Sequence, residues 1–250
     1  MNVKGYLFSV LCSTTVLAQA QTDTLRRKDA GGWEFFQVKR GNYVLSEGYK
    51  HNGVMDGTWV QYWDNGFPHD ISTYRNGKLD GTHILMSQQG YTETVEHFKN
   101  GLLEGPKRTY QPGSSFLTEE VYYSDGKKHG LYSKHYQTGQ PQEESRYNMD
   151  QRDGKTTWFY ETGEKAAEYN YKNGVIDGEV SSYYKNGKVS EYGQYKNNVQ
   201  IGPWKEFYEN GNLKAEGNYV NGEKDGVWKE FDEKGTPTKS LKYKNGEVKK

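Results

Sequence analysis

Between Leu213 and Tyr219 the side chains alternate. Leu213, Ala215, Gly217 and Tyr219 fall on one side, and Lys214, Glu216 and Asn218 on the other. A period of two with one polar side marks a half-buried β-strand. The preceding segment, Gly202-Pro203-Trp204-Lys205-Glu206-Phe207-Tyr208-Glu209-Asn210-Gly211, is rich in aromatic residues and ends in Asn-Gly. Asn-Gly between two such runs predicts a hairpin, because both central positions of a type I′ turn need φ > 0. The tight turn is therefore expected at Asn210-Gly211, with counterparts at Asn65-Gly66, Asn186-Gly187, Thr138-Gly139 and Thr162-Gly163. Asn221-Gly222 is expected to begin a longer loop into the next hairpin, as are Asn76-Gly77, Asn100-Gly101, Asn173-Gly174 and Asn245-Gly246. Glycine recurs too often for helix, and no 3.6-residue period persists.

This unit repeats. Glycines at Gly32, Gly57, Gly81, Gly105, Gly130, Gly154, Gly178, Gly202 and Gly226 open nine units of about 24 residues, most with a second glycine nine residues on and an aromatic 17 on. A fixed period of this length signals stacked units, and since an isolated hairpin is marginal in water, stacking must supply the stability. The fold class predicted is all-β: an elongated array of about nine antiparallel two-stranded hairpins over 32–250, forming a twisted or gutter-shaped single sheet. The anchor glycines Gly57, Gly81, Gly105, Gly130, Gly154, Gly178, Gly202 and Gly226 are assigned to turns and close strand contacts. Asp150 and Asn198 replace the loop glycine, which either can do by adopting a left-handed conformation. The Gly105 unit departs most from the pattern, with Pro106 and Lys107 where the best unit has Pro203 and Trp204 and with 25 residues to Gly130. A bulge or kink is expected there. The divergent first unit reads as a cap.

Hydrophobic residues are only 32% and mean hydropathy is −1.08, a composition that leans toward disorder. The 22 tyrosines overrule it, since a disordered segment has no reason to hold rings in phase with glycines. The core is expected to be thin and aromatic. Residues 1–20 read as a signal peptide: Lys4 is the basic start, Tyr6 to Leu17 is mostly apolar, and Ala18-Gln19-Ala20 is the small-x-small cleavage pattern. Cys12 lies within it, with Leu11 before it where a lipoprotein site wants a small residue, so the mature chain would lack cysteine. Export to the periplasm or exterior of a bacterium is expected. Residues 21–31 read as a solvated linker. Lys+Arg and Asp+Glu are both 33 and scattered, which argues against nucleic acid as a partner.

The segments Tyr219-Val220-Asn221-Gly222-Glu223-Lys224-Asp225-Gly226-Val227-Trp228-Lys229-Glu230-Phe231, Tyr171 to Gly178 and Tyr74 to Gly81 resemble the MORN repeat, and more closely the bacterial variant associated with antitoxin-like proteins. The resemblance covers about residues 32–250. It implies a hairpin ribbon acting as a scaffold for protein contacts, with lipid headgroups as partners of some members, and it brings no catalytic residues. The antitoxin association fits an exported chain poorly.

Chemistry-bearing motifs are sparse. The six histidines (His51, His69, His83, His97, His129 and His135) have no metal-ligand spacing and read as ordinary solvated or turn residues; His83 with His97 is the candidate pair that adjacent strands could bring together. The Asp-Gly steps at Asp56, Asp80, Asp153, Asp177 and Asp225 each offer one carboxylate and read as turn formers rather than calcium ligands. The chain reads as non-enzymatic, with no cofactor and no metal. What remains is a ladder of rings. Trp59, Trp63, Trp158, Tyr160, Trp204, Tyr208 and Trp228 either pack the sheet or stand half-exposed as partner-binding anchors. The function expected is an exported scaffold binding another protein at the cell envelope. Alternatives are a glycan-binding module or lipid-headgroup binding, and an open sheet also admits edge-to-edge homodimers.

Overall fold

A computed structural model describes residues 22–249. The expected signal peptide, Cys12 and Lys250 lie outside the described residues. Twenty-two strands from Thr22 to Val248 form one open antiparallel sheet in which strands consecutive in sequence pair, except that Leu102–Leu103 and Gln151–Arg152 each share the preceding strand with the segment that follows them. Among the described residues there is no helix. Thr22–Lys28 corrects the linker reading: it is an edge strand, in register with Trp33–Arg40 from Thr22 opposite Arg40 to Lys28 opposite Glu34. Its side chains are all exposed, which is why composition alone suggested a linker.

The two kinds of turn are the reverse of the expectation. At Asn221-Gly222 both residues have positive φ (50° and 82°), and Val220 pairs directly with Glu223, so this is the two-residue type I′ turn. Asn76-Gly77, Asn100-Gly101, Asn173-Gly174 and Asn245-Gly246 share that geometry, as do Met149-Asp150 and Asn197-Asn198, where the loop glycine is missing. At Asn210-Gly211 only the glycine has positive φ, Gly211 N–H donates to Tyr208 O (2.8 Å), and Phe207 pairs with Leu213. That is a wider loop ending in a left-handed glycine. Both geometries favour Asn-Gly, so the dipeptide alone does not separate them.

The anchor glycines sit inside strands rather than at turns. Gly202 lies within Val199–Phe207 and pairs with Tyr219 on one side. On the other side the register slips, from Tyr192 opposite Lys205 to Gln194 opposite Ile201. Gly202, with φ of 69°, is thus a bulge glycine. The expected irregularity at Gly105 is present: the strand divides into Leu102–Leu103 and Gly105–Tyr110. Its extra residue is absorbed in the following loop, where Gln111 N–H reaches Phe116 O instead of the residue four on. The unit after Gly130 divides similarly, at Asp153, into Gln151–Arg152 and Gly154–Phe159.

The core is as thin as expected. Six apolar side chains among the described residues are buried: Phe36, Val121, Val180, Trp204, Ala215 and Trp228. Rings interleave edge-on along one face, with Tyr195 to Trp204 at 5.6 Å, Trp204 to Tyr219 at 5.5 Å and Tyr219 to Trp228 at 5.1 Å between centroids. Such edge-to-face contacts suit the ring quadrupole. Each indole lies across a strand where no side chain stands. A Cβ on Gly193 would meet Trp204 at 1.9 Å, one on Gly217 would meet Trp228 at 2.1 Å, and one on Gly48 would meet Trp59 at 2.4 Å. In all three pairs the glycine precedes its tryptophan by 11 residues. Where no tryptophan occurs, that spacing holds other pairs: Ser72 with His83, Glu96 with Lys107, Val121 with Tyr132, Ser145 with Thr156, and Tyr169 with Val180.

Candidate functional site

The expected ladder divides: Trp204 and Trp228 are buried, and Trp59, Trp63, Trp158, Tyr160 and Tyr208 are half-buried with partners inside the sheet. Trp204 and Trp228 are 2% and 3% exposed, so neither is a surface ring. Trp228 Nε1 donates to Asn218 O (3.1 Å), and the Lys224 ammonium lies 4.1 Å from its ring centroid. Trp59 covers Gly48 and donates to Tyr49 O (2.8 Å). Trp158 meets Tyr169 and Tyr171 edge-on, with the Arg152 guanidinium 5.9 Å away. The other three act as latches between units. Trp63 Nε1 donates to Met86 O (3.0 Å), Tyr160 Oη to Tyr183 O (2.6 Å), and Tyr208 Oη to Phe231 O (2.8 Å). Tyr136 and Tyr184 make the same bond, and in every case the acceptor lies 23 residues on. Turn asparagines add a second row, Asn65 to Gln88 O, Asn186 to Glu209 O and Asn210 to Glu233 O. Burial pushes the hydroxyls of Tyr171, Tyr195 and Tyr219 above their ordinary range, so these rings stay neutral.

His83 and His97 do not converge. Thr82 is the residue opposite His97, which places the two histidines on opposite faces. His83 bridges two carboxylates, Glu96 (2.8 Å) and Asp70 (3.3 Å), and Lys107 reaches Glu96 at 2.6 Å. Burial works against ionisation of Glu96, but Lys107 and His83 outweigh it and hold its carboxyl below the usual range. The Asp-Gly carboxylates are structural too. Asp56 accepts from Asn76 N–H (3.3 Å) and Asp80 from Asn100 N–H (3.1 Å), each capping a type I′ turn. A second ionic cluster lies on the outer side chains of the middle units, where Glu168 takes Lys165 (2.7 Å), Tyr183 (2.9 Å) and Lys155 (3.1 Å). Burial opposes these partners, and they still lower its carboxyl to about 2.

The rings that do face solvent were missed. Phe67, Tyr91 and Phe116 are 50%, 40% and 63% exposed. They occupy one structural position, the residue whose carbonyl closes the wide hairpin loop: Trp63 N–H to Phe67 O, Ser87 N–H to Tyr91 O and Gln111 N–H to Phe116 O, each 2.8 Å. Two strands separate successive loops, so the rings recur about every 10 Å along one rim of the sheet. The flanking residues are almost uncharged: Asp64-Asn65-Gly66, Gln88-Gln89-Gly90 and Pro112-Gly113-Ser114-Ser115. In later units the same position holds Gln140, Glu164, Lys188, Asn212 and Thr236. A sequence signal existed in two of the three units, where the aromatic directly follows the loop glycine, but it stands outside the strand pattern that carries the period. The other exposed aromatic residues among those described, Trp33, Tyr43 and Tyr49, also lie in the first part of the chain.

Comparison with known families locates the regular part. The MORN repeat variant matches residues 128–149, 152–173, 176–197, 200–221 and 224–245. Each match runs from the residues after one type I′ turn to the next such turn, taking in the bulge glycine and the wide loop. Residues 128–245 carry five consecutive MORN-variant repeats. No curated protein matches it. MORN repeats are scaffold units that generally mediate contacts with protein or membrane lipid. The five MORN matches begin at residue 128, and every exposed aromatic ring among the described residues lies before them. Among the described residues, the MORN-matched units hold their Tyr, Phe and Trp rings buried or half-buried, and the exposed ones all belong to the divergent units before them.

Proposed function

We propose that this MORN-repeat chain is a non-enzymatic, exported scaffold that binds another protein at the envelope of a bacterial cell, using the ring-bearing rim of its first units. The observation that carries the reading is the recurrence of Phe67, Tyr91 and Phe116 at one position of three successive loops. Exposed rings spaced along a rigid support are suited to anchoring aliphatic and aromatic groups of a partner, since aromatic anchors dominate interface energetics. The family supports a scaffold role, and the Ala18-Gln19-Ala20 pattern supports export.

The triple variant Phe67→Ser, Tyr91→Ser, Phe116→Ser tests the site. Its melting should match that of the parent chain, and it should lose a protein captured stoichiometrically from envelope extract. Undiminished capture would place the contact elsewhere, and repeated failure of the parent chain to capture any protein would remove the reading. Export is checked by N-terminal sequencing of chain recovered outside the cytoplasm, expected to begin at Gln21.

The amide-rich, nearly uncharged setting of the rings favours one second reading, a glycan stacked on the rim. It predicts quenching of Trp63 fluorescence by soluble polysaccharide, and an unresponsive spectrum across a glycan panel would dismiss it. Lipid headgroups are less well served. Anionic membranes reward clustered Lys and Arg, and here the two signs are balanced and mixed.

A further inference from the structure

We infer that the edge strand Thr22–Lys28 is a self-pairing site, through which two copies of this chain join antiparallel about a two-fold axis at Leu25. An edge strand presents a row of backbone N–H and C=O groups with no neighbour, and proteins commonly blunt such edges by shortness, proline or charge. The two edges of this sheet differ in that respect. The C-terminal edge is blunted: Pro237–Lys244 begins with proline, and the strand after it is only Glu247–Val248. The N-terminal edge is seven residues long, with no proline and no interruption.

Its sequence is complementary to itself in one register. A two-fold antiparallel pair must be centred on a residue, because outward-facing backbone groups alternate along the strand and both copies must offer theirs. Centring on Leu25 sets Leu25 against Leu25, Asp23 against Arg27 and Arg27 against Asp23, all three on one face. Centring on Arg26 instead opposes two arginines directly and sets Asp23 against Asp29. The remaining basic side chains have partners within their own chain: Lys28 pairs with Glu34 (3.3 Å), and the Arg26 guanidinium lies 5.0 Å from the Phe36 ring centroid. None of the ion pairs among the described residues includes Asp23 or Arg27, and Leu25 is exposed. Head-to-tail pairing is disfavoured by charge, since Arg26, Arg27 and Lys28 would face a C-terminal strand bearing Lys239, Lys242 and Lys244. The self-paired contact therefore closes at two copies rather than growing a fibre.

Charge reversal tests the register. Asp23→Lys alone sets Lys against Arg at both symmetric positions, and Arg27→Asp alone sets Asp against Asp. Opposite charges directly across two strands stabilise and like charges destabilise, so each variant should weaken self-association by about tenfold. An equimolar mixture restores both pairs. The lysine introduced in one variant then faces the aspartate introduced in the other, and the untouched Asp23 and Arg27 face each other. Sedimentation velocity over a concentration series should show a reversible dimer for the purified parent chain, dimerisation shifted to about tenfold higher concentration for either variant, and a one-to-one heterodimer at the parent's concentration for the mixture. A parent chain that stays monomeric to its solubility limit would overturn the proposal, as would variants that dimerise like the parent. Far-UV circular dichroism separates loss of pairing from loss of fold, since the altered side chains are exposed and the array should melt unchanged.

Discussion

Gly217→Ala is the sharpest probe of how this sheet is held together. The glycine does not have positive φ, so alanine brings no backbone strain and the effect is purely one of space. The new Cβ would stand 2.1 Å from Cδ2 and 2.2 Å from Cε2 of Trp228. Ordinary carbon contact is about 3.5 Å, so the indole would have to retreat by about 1.4 Å. It has little freedom to do so. Tyr219 stands edge-on at 5.1 Å, and the Nε1 bond to Asn218 O fixes the tilt of the ring. A partial shift costs about 1–3 kcal/mol as overpacking, and expulsion of the ring costs about 3–5 kcal/mol as lost burial. We expect about 3 kcal/mol. Guanidinium titration followed by far-UV circular dichroism measures the loss. Hydrogen exchange over 213–231 should localise it, because repeat arrays need not unfold as one unit. The rescue is specific. Gly217→Tyr with Trp228→Val copies the natural pair Tyr169 and Val180, and the double variant should cost at least about 2 kcal/mol less than the sum of its singles. Loss under about 0.5 kcal/mol for Gly217→Ala, or additive costs in the double variant, would refute size matching across the 11-residue pair.

Three further outcomes are expected. Tyr208→Phe removes the latch to Phe231 O and should cost about 1 kcal/mol in a denaturant titration, with far-UV circular dichroism unchanged. Gly178→Ala forces a side chain into φ of 127°, with its Cβ 3.1 Å from Asn170 Cβ, and should lower stability by about 2 kcal/mol in the same titration. The Glu168 carboxyl has a folded pKa of about 2 against an ordinary 4.5, so its ionised form stabilises the fold. That contribution is complete above about pH 4.5 and is lost as pH falls toward 2, and it amounts to about 1 kcal/mol once screening of the half-exposed lysines is allowed for. Chemical denaturation at a series of pH values should show this loss, and Glu168→Gln should flatten the dependence.

Much of the fold was legible because its determinants are local and repeated. Alternation along Leu213–Val220 specified a strand, the Asn-Gly steps specified reversals, and repetition of both specified an open array. The extra residue after Gly105 announced an irregularity that the loop at Gln111 to Phe116 absorbs. One long-range contact was also legible in principle. The 11-residue spacing of Gly48, Gly193 and Gly217 from their tryptophans records a cross-strand pair, because the type I′ turn and the bulge fix how far along the chain the opposite residue lies. The candidate site fared worse. Trp204 and Tyr208 were singled out for their size, and size is what recruits a ring to cover a strand or to latch the next unit.

By itself, the sequence determined the period, the strand content, the antiparallel order of the hairpins and the thin aromatic core, since each follows from patterns within one 24-residue unit. Only the tertiary structure decided which Asn-Gly is the type I′ turn, because the two loop types share a dipeptide and differ in the pairing of their flanks. It alone turned Thr22–Lys28 from a solvated linker into an edge strand, a state set by a partner strand and not by its own exposed side chains. It also decided which rings are free. In a single-layer sheet neither face is covered in advance, and whether a ring is buried depends on neighbours one strand and one unit away. Trp228 is closed over by Tyr219 and Lys224, whereas Phe116 stands exposed on its loop.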